Sequence, residues 1–444
     1  MATLLCPASV SQRLLWMATR RFGTSAAMTP RHYLIPDVSA DALIHALADL
    51  VARHEALRTR FTGAGDGLTQ EILPPEPPAI EWLPCEDVAL AIDDAPRRNI
   101  GTVTDGAMRV EVLHDAQNAI LVLEIDHLLT DAWSYDVIRA ELGALYRAYL
   151  SDQQPELPDV GWQYRDFAEW QVARLRGATL AKYQDEWLRR LTGAHAPGLP
   201  TPVQRPPRRE RLADVQRLIA DPDRARQASD GLRTLGACGT STLSTAALAV
   251  FFLLLALITG EDDLTISSIF ANRMNAKCWR TVGPFAHPLP LRLAIGHRDT
   301  VRDLVRAAHN TMAHALANQE LPMPLLPSGE LHRSVSAAIS NVVFHVLPVG
   351  QAGLADGGPG VFRSVPRIPR GVSARFDLEL QLIARPSGLG GFVRFAADRF
   401  PEEWIAAFRD GFCDLIALTA ADPDRSVDAI AAAYGPRFRE LATL

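Results

Sequence analysis

A chain of 444 residues with a formal net charge of -6 is long enough for two lobes of roughly 200 residues each, and it lacks the concentrated basic charge of a polyanion binder. With 48% hydrophobic and 22% charged residues it is not intrinsically disordered, and nucleic acid is not an expected partner. Its five cysteines, Cys6, Cys85, Cys238, Cys278 and Cys413, lack Cys-x-x-Cys spacing, which argues against a disulfide framework or a zinc site and for a cytoplasmic setting.

From the N-terminus, Ser39 is placed to cap a helix through Leu43, Ile44, Leu47, Leu50 and Val51, an apolar stripe of helical period with Asp41 in its first turn. Gly63-Ala64-Gly65-Asp66-Gly67 supplies turn residues between two extended stretches; it lacks the Lys-Ser/Thr of a phosphate-binding loop and reads as a hairpin. Met108, Val110 and Val112 alternate as in a half-buried strand, Asp115 to Asn118 turn, and Ile120 to Ile125 form a near-continuous apolar strand that runs into Asp126-His127. After Asp131 a helix follows, with Ile138, Leu142, Leu145, Tyr146 and Tyr149 on one face.

A boundary falls near Gly177, dividing the chain into lobes 1–177 and 178–444, and Pro197 to Arg211 reads as an exposed connection inside the second. Ala246 to Ile258 is an apolar run too short to span a bilayer, so a buried core helix is expected and a membrane is not an expected partner. Ser340 to Val346 and Phe376 to Ala384 read as extended, and Pro401 opens a helix through Trp404, Ile405, Phe408, Phe412 and Leu415.

The segment Asp126-His127-Leu128-Leu129-Thr130-Asp131-Ala132 resembles the His-His-x-x-x-Asp-Gly motif of the condensation domains of nonribosomal peptide synthetases, with Asp126 for its first histidine and Ala132 for its glycine. Matches occur in the expected order at Ser9 to Trp16, Arg53-His54-Glu55-Ala56-Leu57-Arg58-Thr59-Arg60-Phe61, Tyr164 to Trp170, and Val282-Gly283-Pro284-Phe285-Ala286-His287-Pro288-Leu289-Pro290-Leu291-Arg292. Phe376-Asp377-Leu378 and Asp398-Arg399-Phe400 are similar to two later landmarks of the family. The resemblance covers almost the whole chain. It implies an α/β (α+β) fold of two chloramphenicol-acetyltransferase-like lobes in a V with a central tunnel, entered from one end by a carrier protein's phosphopantetheine arm and from the other by the acceptor.

On that resemblance His127 is the general base that takes a proton from an attacking amine or hydroxyl, because imidazole titrates near neutrality. Asp131 is implied to be structural, pairing with an arginine, and Arg292 is the candidate partner; a plain helix cap is the simpler reading of the same residue. Asp126 has three readings: it raises the imidazole pKa, holds the acceptor, or fills a structural place. Ala132 adds a methyl that narrows the tunnel or forbids a positive φ. Cys6 is either a covalent acyl carrier activated by His127 or a small buried apolar side chain. No His-Glu-x-x-His motif or clustered Cys/His set points to a metal.

The implied activity is that of a freestanding condensing enzyme that forms an amide, less readily an ester, from an acyl-loaded carrier protein and a small-molecule amine acceptor. It would have no permanently bound cofactor, only the partner's phosphopantetheine arm. Within this class the altered motif is similar to what a lincosamide-type amide synthetase would carry. A noncatalytic recruitment module and a coenzyme A-dependent ester-forming acyltransferase stand as alternatives.

Overall fold

The computed structural model describes residues 3–22, 31–88, 108–116, 118–200, 212–239, 241–327, 329–348, 362–364 and 372–440. Residues 201–211 of the expected connection Pro197 to Arg211 lie outside these. The chain forms two compact units: Met1–Thr179 with Ala271–Ala286 and Gly350–Arg367, and Leu180–Phe270 with His287–Val349 and Ile368–Leu444. The division is thus discontinuous, unlike the expected lobes 1–177 and 178–444, since Ala271–Ala286 packs with the first unit.

In the first unit the strands Arg363–Ser364, Arg31–Pro36, Asn118–Ile125, Met108–His114 and Ile80–Pro84 form one sheet, in that spatial order. Strand Asn118–Ile125 is buried on both faces, which explains its near-continuous apolar sequence. Leu121, Leu123 and Ile125 point into the main core with Leu43, Leu47 and Leu50 of helix Ala40–Arg53 and Ile138, Leu142 and Leu145 of helix Ala132–Leu150. Ile120 and Val122 pack with Val88 and Leu113 in a smaller cluster. Ser39 caps its helix by accepting from the Ala42 N–H, as its position before the apolar stripe predicts. Strands Thr59–Thr62 and Thr69–Ile72 pair antiparallel around the glycine turn, and Leu4–Pro7 adds to the edge of that hairpin.

The second unit is built on a sheet ordered His287–Ala294, Asp263–Phe270, Val342–Pro348, Leu378–Arg385, Gly388–Ala396, Leu212–Arg217 and Val372–Ser373. Helix Leu243–Thr259 is buried along almost its whole length in the core of this unit, with Thr242 capping its start and Gly260 closing its end at φ 73°. Ser340 and Asn341, expected as extended, are instead the last residues of helix Glu330–Asn341, and the strand begins at Val342. Among the described residues no single helix is long and apolar enough to cross a membrane.

The Arg53 to Phe61 motif has a structural office in the first unit. Glu141 is 1% exposed in helix Ala132–Leu150, and its carboxylate receives His54 Nε2 and Arg53 Nε, each at 2.8 Å. Burial works to raise this carboxyl, but the bonds from His54 and Arg53 outweigh it and bring it below its ordinary value of 4.5. Because the folded value lies below the unfolded one, the contribution is complete above about pH 4.5 and disappears as pH falls through the folded value. Glu141→Ala is expected to cost about 3 kcal/mol in urea unfolding at pH 7, by removing the acceptor that His54 and Arg53 share, and the deficit should shrink below pH 4.5.

Candidate active site

Strand Asn118–Ile125 and helix Ala132–Leu150 are joined by a tight turn, and the motif occupies it. The Leu129 N–H bonds the Asp126 carbonyl at 3.0 Å, so the chain reverses just where the buried strand ends. His127 is half-buried, whereas Leu128, Leu129 and Thr130 are buried. His127 Nδ1 lies 2.6 Å from the Thr130 carbonyl oxygen. A carbonyl only accepts, so in the neutral ring Nδ1 carries the proton and Nε2 keeps its lone pair. In that tautomer Nε2 is the basic nitrogen of the ring.

Asp131 is 1% exposed and caps helix Ala132–Leu150. Its Oδ1 accepts from the Ser134 N–H at 2.8 Å, the Ser134 hydroxyl at 2.7 Å and Arg273 at 3.1 Å. Its Oδ2 accepts from the N–H groups of Phe285 and Ala286, both at 3.2 Å. Arg273 is itself 6% exposed; it also donates to the carbonyls of Cys278 and Thr281 and lies 4.0 Å over the Phe285 ring. Burial lowers the Arg273 pKa from its usual value, and the Asp131 carboxylate opposes the shift. The cap and the ion pair, compatible readings of one loop residue, coexist.

Asp131 pairs with Arg273 and not with Arg292, the partner expected from sequence. Along strand His287–Ala294 the side chains of Leu289, Leu291 and Leu293 enter the core, so Arg292 projects to the opposite face. There it binds Asp263, with Nε 2.9 Å from Oδ1. Arg273 escaped notice because it stands in an irregular loop after strand Asp263–Phe270, where no periodicity marks it. Gly283 is needed in the same loop, since a Cβ there would lie 1.9 Å from the Tyr164 ring.

Cys6 is 5% exposed in strand Leu4–Pro7, and burial, with Glu169 as the next contributor, raises its thiol to about 11. Such a thiol stays protonated and is a poor nucleophile. Ala132 is exposed at the first position of its helix and is absent from the positive-φ residues, so the methyl meets no backbone barrier there. Asp126 is 1% exposed, with Oδ1 accepting the Leu128 N–H at 2.8 Å. Two residues earlier Glu124, also buried, pairs with Arg109 at 3.0 Å. Burial raises its carboxyl to about 7, with Arg109 opposing and Glu111 and Asp126 adding to the rise. A charge inside an otherwise apolar strand was the sequence signal for Glu124, and it was missed. Among the described residues no group of three His, Cys, Asp or Glu side chains is arranged for a metal.

Two stability tests follow. Asp131→Ala should cost about 3–5 kcal/mol by leaving Arg273 buried without its carboxylate, whereas Arg292→Ala, at a partly exposed pair, should cost about 1 kcal/mol, both read from denaturant unfolding. Glu124 has the reverse sign to Glu141. Its folded value of about 7 exceeds its ordinary 4.5, so it subtracts stability as pH rises from 4.5 to 7, and Glu124→Gln should flatten the stability profile in that window.

A profile of the condensation domain matches residues 5–433. The chain is 30% identical over 403 residues to the nonribosomal peptide synthetase kk1B of Curvularia clavata, covering 86% of this chain and 3% of that protein. It is 30% identical over 442 residues to the phosphinothricin tripeptide synthetase PhsB of Streptomyces viridochromogenes, covering 96% of this chain and 36% of that one. The chain therefore spans little more than a third, or far less, of the length of these relatives. Among solved structures, the X-domain from teicoplanin biosynthesis has a TM-score of 0.79 at 23% identity over 95% of this chain and 96% of that one, a likeness of fold. With its motifs in order and the family profile matched from residue 5 to residue 433, the chain belongs to the condensation-domain family.

Proposed function

We propose that the chain transfers an acyl group from a carrier-protein phosphopantetheine thioester to an amine, forming an amide in the assembly of a peptide-like natural product. The observation that carries this reading is the 2.6 Å contact of His127 Nδ1 with the Thr130 carbonyl, which leaves Nε2 as the proton acceptor in the motif turn. The amine nitrogen attacks the thioester carbonyl as Nε2 removes its proton; the C–N bond forms, the C–S bond breaks, and the pantetheine sulfur leaves and is protonated. A base so placed supplies about 10²–10⁴-fold. Holding both reactants in register adds to this, and a thioester is activated enough for positioning to carry much of the rate.

The raised thiol of Cys6 favours direct transfer without an acyl-cysteine step. A lincosamide-type pairing of a carrier-bound proline derivative with an amino sugar is one case of this reaction and belongs to the same proposal. The test is incubation with acyl-loaded carrier proteins and a panel of amines, followed by mass spectrometry of carrier and product. Wild-type protein should consume the thioester, His127→Ala should do so about 10²–10⁴-fold more slowly, and Cys6→Ala should match the wild type with no acyl adduct on either. Carrier binding without thioester consumption across the panel would replace transfer with recruitment.

A further inference from the structure

We infer that Asp126 and Gln12 are positioning residues that clamp Leu128 from both sides and thereby fix the tautomer and aim of His127; the inference rests on His127 being the base of the proposed transfer. The Leu128 N–H is taken by Asp126 Oδ1 at 2.8 Å, and the Leu128 carbonyl is taken by Gln12 Nε2 at 3.2 Å. The Leu128 side chain is 0% exposed in the core of its unit, which anchors the residue a third way. Leu128 follows His127 directly and precedes Thr130, whose carbonyl receives His127 Nδ1–H. Fixing both polar groups of Leu128 therefore fixes the span between the imidazole and its acceptor.

Gln12 is 1% exposed, and its amide nitrogen and oxygen are both engaged. Its oxygen accepts the Ser9 N–H at 3.0 Å, while its nitrogen donates to Gln70 Oε1 at 3.0 Å and to Leu128. The base of the clamp is also fixed. Ser9 Oγ receives the Gln12 N–H at 3.1 Å and bonds the Tyr164 hydroxyl at 2.8 Å, and Tyr164 donates to the Pro284 carbonyl at 3.0 Å. The segment from Ser9 to Gln12, noted in the sequence for its family match, is thus tied to the motif turn through one amide.

The same geometry separates the three readings of Asp126. Its place two residues before the N–H that it accepts is the Asx-turn arrangement, in which a short carboxylate or carboxamide oxygen closes a local ring on the backbone. What position 126 needs for this is an acceptor oxygen on a short stem. The carboxylate's charge is incidental to it, and asparagine should serve as well.

The experiment reads His127 directly and uses no acyl donor or acceptor, so it remains decisive even if the chain proves inactive in transfer. In the full chain labelled with ¹⁵N-histidine, long-range ¹H–¹⁵N spectra report which ring nitrogen carries the proton, with the His127 signals assigned by their loss in His127→Ala. Wild type and Asp126→Asn should each show one form, protonated at Nδ1. In Asp126→Ala and Gln12→Met the ratio of the Nδ1–H to the Nε2–H form should fall roughly three- to tenfold, about the worth of one hydrogen bond, with circular dichroism confirming the fold. If Asp126→Ala does not fold, the near-isosteric Gln12→Met carries the test. Folded Gln12→Met with the wild-type His127 signals would overturn the clamp, since a merely structural glutamine would alter melting and leave the tautomer alone. Loss of the Nδ1–H form in Asp126→Asn would overturn the acceptor role and assign the effect to charge.

Discussion

The ion pair of Asp131 with Arg273 is the constraint on which the motif region depends. Both side chains are almost fully withdrawn from water, and such a pair persists only when the remaining lone pairs and protons are also matched. Asp131 meets this with donors from Ser134, Arg273, Phe285 and Ala286, and Arg273 meets it with the carbonyls of Cys278 and Thr281. The carboxylate therefore binds together the start of one helix and two stretches of a loop more than 130 residues away, since Asp131 and Arg273 are 142 residues apart. Several neighbouring identities follow from it. Ser134 must offer a hydroxyl, and Gly283 must be bare so that the Tyr164 ring can close over the loop.

Electrostatics around the turn divides by the partners each buried carboxyl finds. Glu141 is met by a histidine and an arginine and stays ionised below the ordinary range. Glu124 has one arginine and two acidic neighbours, and burial prevails. Two glutamates on adjoining elements thus pull stability in opposite directions along the pH scale.

The elements and the family were legible because they rest on repeated signals: the apolar period of helix Ala40–Arg53, the alternation in Met108–His114 and the ordered motifs. His127 was legible through its motif. Arg273 was not, because a single arginine in irregular backbone has no pattern to betray it, whereas Arg292 closes the Val282 to Arg292 match. Strand alternation, with Leu289, Leu291 and Leu293 inward, puts Arg292 on the opposite face of its own sheet, where Asp263 takes it. The helix end at Ser340 and Asn341 was misplaced because strand Val342–Pro348 follows without an intervening turn, so the apolar pattern changes period with no glycine or proline to mark it. The role of Asp126 depended on a hydrogen bond between residues two apart, which a motif comparison does not encode.

The exposed Ala132 at the first helical position has a consequence for how members of this family are recognised. Its backbone conformation does not demand glycine, and position 126 offers an acceptor to the backbone without being histidine. A search pattern that insists on His-His and on the terminal glycine would discard this chain before its chemistry was considered. A pattern written around what this turn contains, a half-buried imidazole followed by a buried carboxylate that meets a distant arginine, would retain it.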